Sequence, residues 1–218
     1  MKKLLVLILP FVFIFVQCEF ISGKKQKEES IPQPKVKTAE EMLAEDKARK
    51  DSIEHAEFEL MQKTAFGNLM FGMIKDSVLN LNEERQHFGK YDYNFSYSFN
   101  NENQLYKLQL TSDAARAIQF ESDLNNRYQN LFKIIQTKYG EPSVQKEFPS
   151  IFDVQNNKRY QISSWEKGTK QISLGVQENG KNSYSAFCEI SDKNMTEAEL
   201  ERRKNLKNKD IIEASSKF

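Results

Sequence analysis

Residues 91–99 alternate without a fault. Tyr91, Tyr93, Phe95, Tyr97 and Phe99 fall on one side of an extended chain, and Asp92, Asn94, Ser96 and Ser98 on the other. A period of two is the mark of a strand with one dry and one wet face. Wound as a helix, the same rings would be smeared around the whole cylinder. Each ring buries about 150–250 Å² when covered, so the row predicts a layer packed over this strand. The other reading is a row left open to solvent. Tyr91, Tyr93, Phe95, Tyr97 and Phe99 would then form an interaction surface for a protein or a glycan.

The neighbouring sequence supplies the layers. After a turn over residues 100–104, Tyr106, Leu108 and Leu110 mark a second strand. Residues 112–119 read as a short, loose helix. Over residues 123–139, Leu124, Tyr128, Leu131, Ile135 and Tyr139 recur every three or four positions, which is an amphipathic helix. Gly140 gives it a left-handed stop and Pro142 prevents continuation. Three more strands follow at 159–165, 170–177 and 183–190. They are separated by Glu166-Lys167-Gly168-Thr169 and Glu178-Asn179-Gly180-Lys181. Upstream, Gly72 permits a bend into a short helix that ends near Asn82. The predicted fold class is α+β. An antiparallel sheet of about five strands carries two helices on one face, preceded by a charged helical arm and followed by a C-terminal helix.

Both flanking helices begin with capping-box patterns, Thr38-Ala39-Glu40-Glu41 and Thr196-Glu197-Ala198-Glu199. In the arm, Glu45/Arg49, Asp46/Lys50 and Glu59/Lys63 are acid-before-base pairs. Its later half places Ile53, Ala56, Leu60, Met61 and Thr64 on one face, which predicts docking on the domain. The Arg202-Arg203-Lys204 run in the last helix reads as a solvated face.

The N-terminus has the charge and hydropathy pattern of an export signal. Lys2 and Lys3 precede residues 4–16, none of which has a polar side chain. That run is shorter than the ~20 residues of a bilayer span. Cys18 follows it directly. The boundaries expected are a signal peptide over 1–17, a Pro-containing tether over 18–37, the arm over 38–66, an α+β domain over 67–192 and a C-terminal helix and tail over 193–218. Cys188, the other cysteine of the two in the chain, reads as a small hydrophobe on the inner face of a strand.

Chemistry-bearing patterns are few. His87 follows Glu83 by four residues, as two ligands on one helix face would, but no third ligand has recognisable spacing. Neither Cys188 nor Ser77 sits in a nucleophile motif, and no phosphate- or dinucleotide-binding loop occurs. The expectation is therefore a non-enzymatic protein with no catalytic residues, no metal and no cofactor. With 32 basic against 31 acidic residues, charge gives no reason to expect nucleic acid.

Two stretches resemble known families. Phe15-Val16-Gln17-Cys18 is similar to the lipobox of bacterial lipoproteins, which implies lipidation at Cys18 and a membrane held through an N-terminal lipid anchor. Ordinary cleavage nearby and an uncleaved anchor are the other readings. Gly72-Met73-Ile74-Lys75-Asp76-Ser77-Val78 resembles the G-M-x-K-x-x-V opening of small outer-membrane assembly lipoproteins of the BamE/SmpA type. That resemblance implies a lipoprotein of the bacterial cell envelope, facing the periplasm or the outer membrane, that binds an envelope protein. A secreted inhibitor with Glu166-Lys167-Gly168-Thr169 as its inserting loop stands as an alternative. So does a small ligand-binding or hydrolytic protein with its site over the aromatic strand.

Overall fold

The computed structural model describes residues 37–81, 84–154, 158–180 and 182–215. Helix α1 (Ala39–Lys63) leads into a small hairpin of β1 (Thr64–Phe66) and β2 (Leu69–Met70), then α2 (Lys75–Leu81). Next come β3 (Arg85–Phe88), β4 (Tyr91–Phe99), β5 (Leu105–Ser112) and β6 (Ala115–Arg116). A 3-10 turn (Ala117–Gln119) and a π turn (Phe120–Leu124) then open α3 (Asn125–Tyr139). The chain continues through β7 (Val144–Gln145), a 3-10 turn (Ile151–Val154), β8 (Arg159–Lys167), β9 (Lys170–Glu178) and β10 (Ser183–Asp192). It finishes in α4 (Lys193–Ser215).

The main sheet has eight strands, in the order β3-β4-β5-β10-β9-β8-β7, with β6 paired to the start of β10. All of these pairings are antiparallel. The five strands expected from the sequence are β4, β5, β8, β9 and β10. The three extra ones run for only two to four residues, too short to carry an alternating pattern. Of residues 112–119, only Ala117–Gln119 is helical, as a 3-10 turn. Ser112 ends β5, and Ala115 and Arg116 pair with Tyr184 and Ser183.

α3 is the helix that covers the sheet. Tyr128, Leu131, Ile135 and Tyr139 turn inward against β9 and β10. Gly140 ends the helix at φ 77°, where a side chain would be strained. Trp165 Nε1 donates to the Gly140 carbonyl across 2.8 Å, so the helix end is tied to β8. α2, expected to share this layer, is only seven residues long and buries just Val78. Its approach is fixed instead by backbone bonds to the β4–β5 turn. Gly72 N–H donates to Leu105 C=O, Leu105 N–H to Met73 C=O, and Lys75 N–H to Asn103 C=O, at 2.8–2.9 Å.

The flanking helices depart from expectation. The capping box at α1 forms as read, with Thr38 N–H donating to Glu41 Oε2 and Glu41 N–H to Thr38 Oγ1. Yet α1 has no buried residue, and Ile53 and Leu60 are exposed. It also stops at Lys63, because Thr64 to Phe66 turn into β1. Its apolar positions are too sparse to form the continuous stripe that docking requires. At α4 the cap is Asp192, whose Oδ1 accepts from Met195 N–H at 2.8 Å. Thr196 already lies inside the helix, its Oγ1 buried without a hydrogen-bond partner among the described residues. Glu199, expected to complete that box, is 3% exposed and binds both Arg202 and Arg203 at 2.7–2.8 Å. Those hydrogen bonds, Arg202's first, hold its carboxyl down at about 2 against the cost of burial. The basic run is therefore partly consumed by one carboxylate.

Candidate interaction site

The aromatic row on β4 divides between core and surface. Tyr93 and Phe95 are buried, whereas Tyr91, Tyr97 and Phe99 are half-buried. Phe66 of β1 meets the Phe95 ring edge-on at 5.1 Å, and Phe88 of β3 lies 5.9 Å from Tyr93. Tyr93 Oη donates to the Arg127 carbonyl at 3.2 Å and accepts from Asn130 Nδ2 at 3.1 Å. Burial pushes its phenol up to about 12. The guanidinium of Arg127 lies over Tyr91, 5.4 Å from its centroid. This half of the row is core, as the alternation predicts.

The other half lines an open groove. Tyr97 stacks on Phe95 at 6.2 Å and Phe99 follows at 6.5 Å, continuing the row away from the buried rings. The groove, of about 500 Å³, is lined by Asn94, Phe95, Ser96, Tyr97 and Phe99 of β4, by Lys75 and Leu79 of α2, and by Glu84. The Lys75 ammonium lies 6.0 Å from the Phe99 centroid, and Leu79 is half exposed. The site therefore offers aromatic faces, an aliphatic wall and charges of both signs. Those features suit a side chain or short segment of another macromolecule.

The remaining candidates are not brought together. His87 lies on strand β3, so it cannot share a helical face with Glu83, which is outside the described residues. Its Nδ1 is 2.8 Å from Asp92 Oδ1, and Arg85 bridges Asp92 and Asp113 at 3.0 and 2.8 Å. His87 and Arg85 hold the Asp92 carboxyl below its usual range. These are exposed groups, the setting in which ion pairs contribute little. Among the described residues, no group of three or more His, Cys, Asp or Glu could hold a metal. Cys188 is sealed inside the sheet, and burial pushes its thiol up to about 12, so it packs as a small hydrophobe. Cys18 lies outside the described residues. Sequence reasoning missed the α2 wall of the groove, because Lys75 and Leu79 read only as helix positions. It also missed Lys170, a buried cation at the start of β9.

No family model, no curated protein and no solved structure matches this chain.

Proposed function

We propose that the protein is a membrane-tethered, non-enzymatic lipoprotein of the bacterial cell envelope whose domain binds another envelope protein. The observation that carries the binding role is the groove between Tyr97 and Phe99 on β4 and Leu79 and Lys75 on α2. Tethering rests on Lys2, Lys3, the apolar run over residues 4–16 and Cys18. The reading agrees with the resemblance of residues 72–78 to the BamE/SmpA-type lipoproteins, in which binding rather than catalysis is the role implied.

The inhibitor alternative fares less well. Its inserting loop is held on both sides, since Thr169 N–H donates to Gln62 Oε1 and Thr169 C=O accepts from Lys193 N–H. A loop fastened to two helices is not presented to a cleft. For a hydrolytic site over the aromatic strand, the described residues offer Ser96 on the groove's lining but no histidine or cysteine beside it, since Cys188 is sealed in the sheet and His87 is not part of the lining.

The test is photocrosslinking in intact cells from a probe amino acid at Leu79, with a matched probe at Lys209 of α4. A discrete adduct from Leu79 that is lost in Phe99→Ala supports the reading. Identical adducts from both positions, or none from Leu79, sink it. In the same strain Cys18→Ala should move the protein from the membrane fraction to the soluble one. Unchanged fractionation would defeat the lipid anchor.

A further inference from the structure

Lys170 opens β9 and is only 1% exposed. Its ammonium donates to the Thr64 carbonyl and, at 2.6 Å, to Tyr139 Oη. It also lies 4.8 Å from the centroid of the Tyr139 ring, and the ammonium of Lys138 lies 5.5 Å from that same centroid. Two cations thus share one tyrosine. Among the described residues, neither is ion-paired to a carboxylate. Buried charges are ordinarily paired, so a lysine held this way is short of an anion. Tyr139 itself is 8% exposed. Its oxygen accepts from Lys170, and among the described residues nothing accepts its own proton.

A cleft of about 330 Å³ adjoins these groups. It is lined by Thr64, Lys138 and Tyr139 and by Glu57, Leu60 and Met61 of α1. That volume lies at the lower end of the roughly 300–1,000 Å³ of ligand sites. Tyr139 thus both accepts from the buried Lys170 and lines this open space, where Lys138 adds a second cation.

We propose that this cleft binds the carboxylate of a small aliphatic monocarboxylic acid. The carboxylate accepts from Tyr139 Oη and from Lys138, and the hydrocarbon tail lies on Leu60 and Met61. Burial, and after it the charge of Lys138, lowers the Lys170 ammonium to about 8, which is the response of a cation without its counter-ion. Glu57 on the lining carries the ligand's own sign, so a dianion is disfavoured. Cys188, the other titratable group near Lys170, is neutral behind it. This site is independent of the groove on β4.

The test uses the full chain in mild detergent and titrates it with sodium butyrate, with sodium chloride and butyramide as controls. Heat and a thermal shift are recorded for each. The expected result is binding of butyrate but not of the isosteric amide. Tyr139→Phe and Lys138→Gln, which keep the surrounding packing, should each weaken it by about tenfold. Glu57→Gln should tighten it. Lys170→Met should abolish it; if that variant does not fold, Tyr139→Phe and Lys138→Gln carry the test. Equal binding of butyramide, no binding of millimolar butyrate, or wild-type affinity in both Tyr139→Phe and Lys138→Gln would overturn the proposal.

Discussion

The backbone N–H of Thr169 donates to Gln62 Oε1 across 3.1 Å, which fastens the last turn of α1 to the tip of the β8–β9 hairpin. Gly168 makes this approach possible. A Cβ there would stand 2.0 Å from Gln62 Oε1, and its φ of 62° is left-handed in any case. Met61 adds a partial contact with the core, while the described residues up to Phe58 are exposed. A helix in a protein takes most of its stability from a packed apolar face, and α1 buries no residue fully.

The first prediction follows from this fastening being confined to the last turn of α1 among the described residues. Amides over residues 46–58 should exchange with solvent far faster than those of β9, because local opening there breaks no core contact. Gln62→Ala should extend the fast region toward Lys63 and leave the unfolding midpoint of the domain nearly unchanged. Hydrogen exchange followed by mass spectrometry reads both. Protection over 46–58 equal to that of β9 would show that α1 is packed.

A second prediction concerns Gly175 in β9. A Cβ at this position would lie 2.0 Å from the Tyr160 carbonyl oxygen, where the β8–β9 register shifts between Gln161 and Ser163. The obstacle is backbone, so no side chain can rotate out of its way. Gly175→Ala should cost roughly 1–3 kcal/mol, as overpacking does. Urea unfolding followed by the fluorescence of Trp165, the single tryptophan, measures it. An unchanged midpoint would mean that the bulge relaxes freely.

These two sites show what the sequence makes legible. Strands β8, β9 and β10 and helix α3 were readable because alternation, the stripe from Leu124 to Tyr139 and the Gly168 and Gly180 turns are local signals. The lack of a side chain at Gly175 is visible in the sequence, but its cause is a carbonyl on another strand. Arg85-Gln86-His87-Phe88 becomes a strand only because β4 offers it an edge. The groove likewise depends on α2 being held at the β4–β5 turn by backbone bonds that no residue type announces. Lys170 beside a turn reads as exposed until Tyr139, 31 residues earlier, is placed against it.

The third prediction is a pH profile. Lys170 titrates at about 8 in the native state against an ordinary 10.5, so between those values the unfolded chain binds more protons. Stability from this group therefore rises with pH from about 8 upward. Cys188 opposes it: native thiol holds its proton to about 12 while the unfolded one loses it near 9.0, so stability falls above pH 9. Tyr93 and Tyr139, held up at about 12, add to that decline above pH 10. The net expectation is a gain of about 1 kcal/mol between pH 8 and 9, then a plateau. Urea midpoints across this range should show the gain, lose it in Lys170→Met, and extend it in Cys188→Ala. A flat wild-type profile would mean that Lys170 stays fully protonated.

The last prediction separates the two halves of the aromatic row. Phe95 is buried against Phe66 and Phe88, so Phe95→Ala leaves a cavity at the junction of β1, β3 and β4 and should cost about 3–5 kcal/mol. Phe99 and Tyr97 are half-buried residues of the groove lining. Replacing either with Ala removes less buried area and leaves a depression that solvent fills, so the cost should be about 1–2 kcal/mol. The order of effects on binding is reversed, because Phe99 lines the groove a partner would enter whereas Phe95 is buried. Phe99→Ala should therefore fold, with a midpoint close to the native one, and lose the Leu79 crosslink. Leu108, opposite Tyr97 in the β4–β5 register, is fully buried and serves as the control for a purely structural loss. If Phe95→Ala and Phe99→Ala were equally destabilising, the whole row would be core and the groove would lose its role as a binding wall.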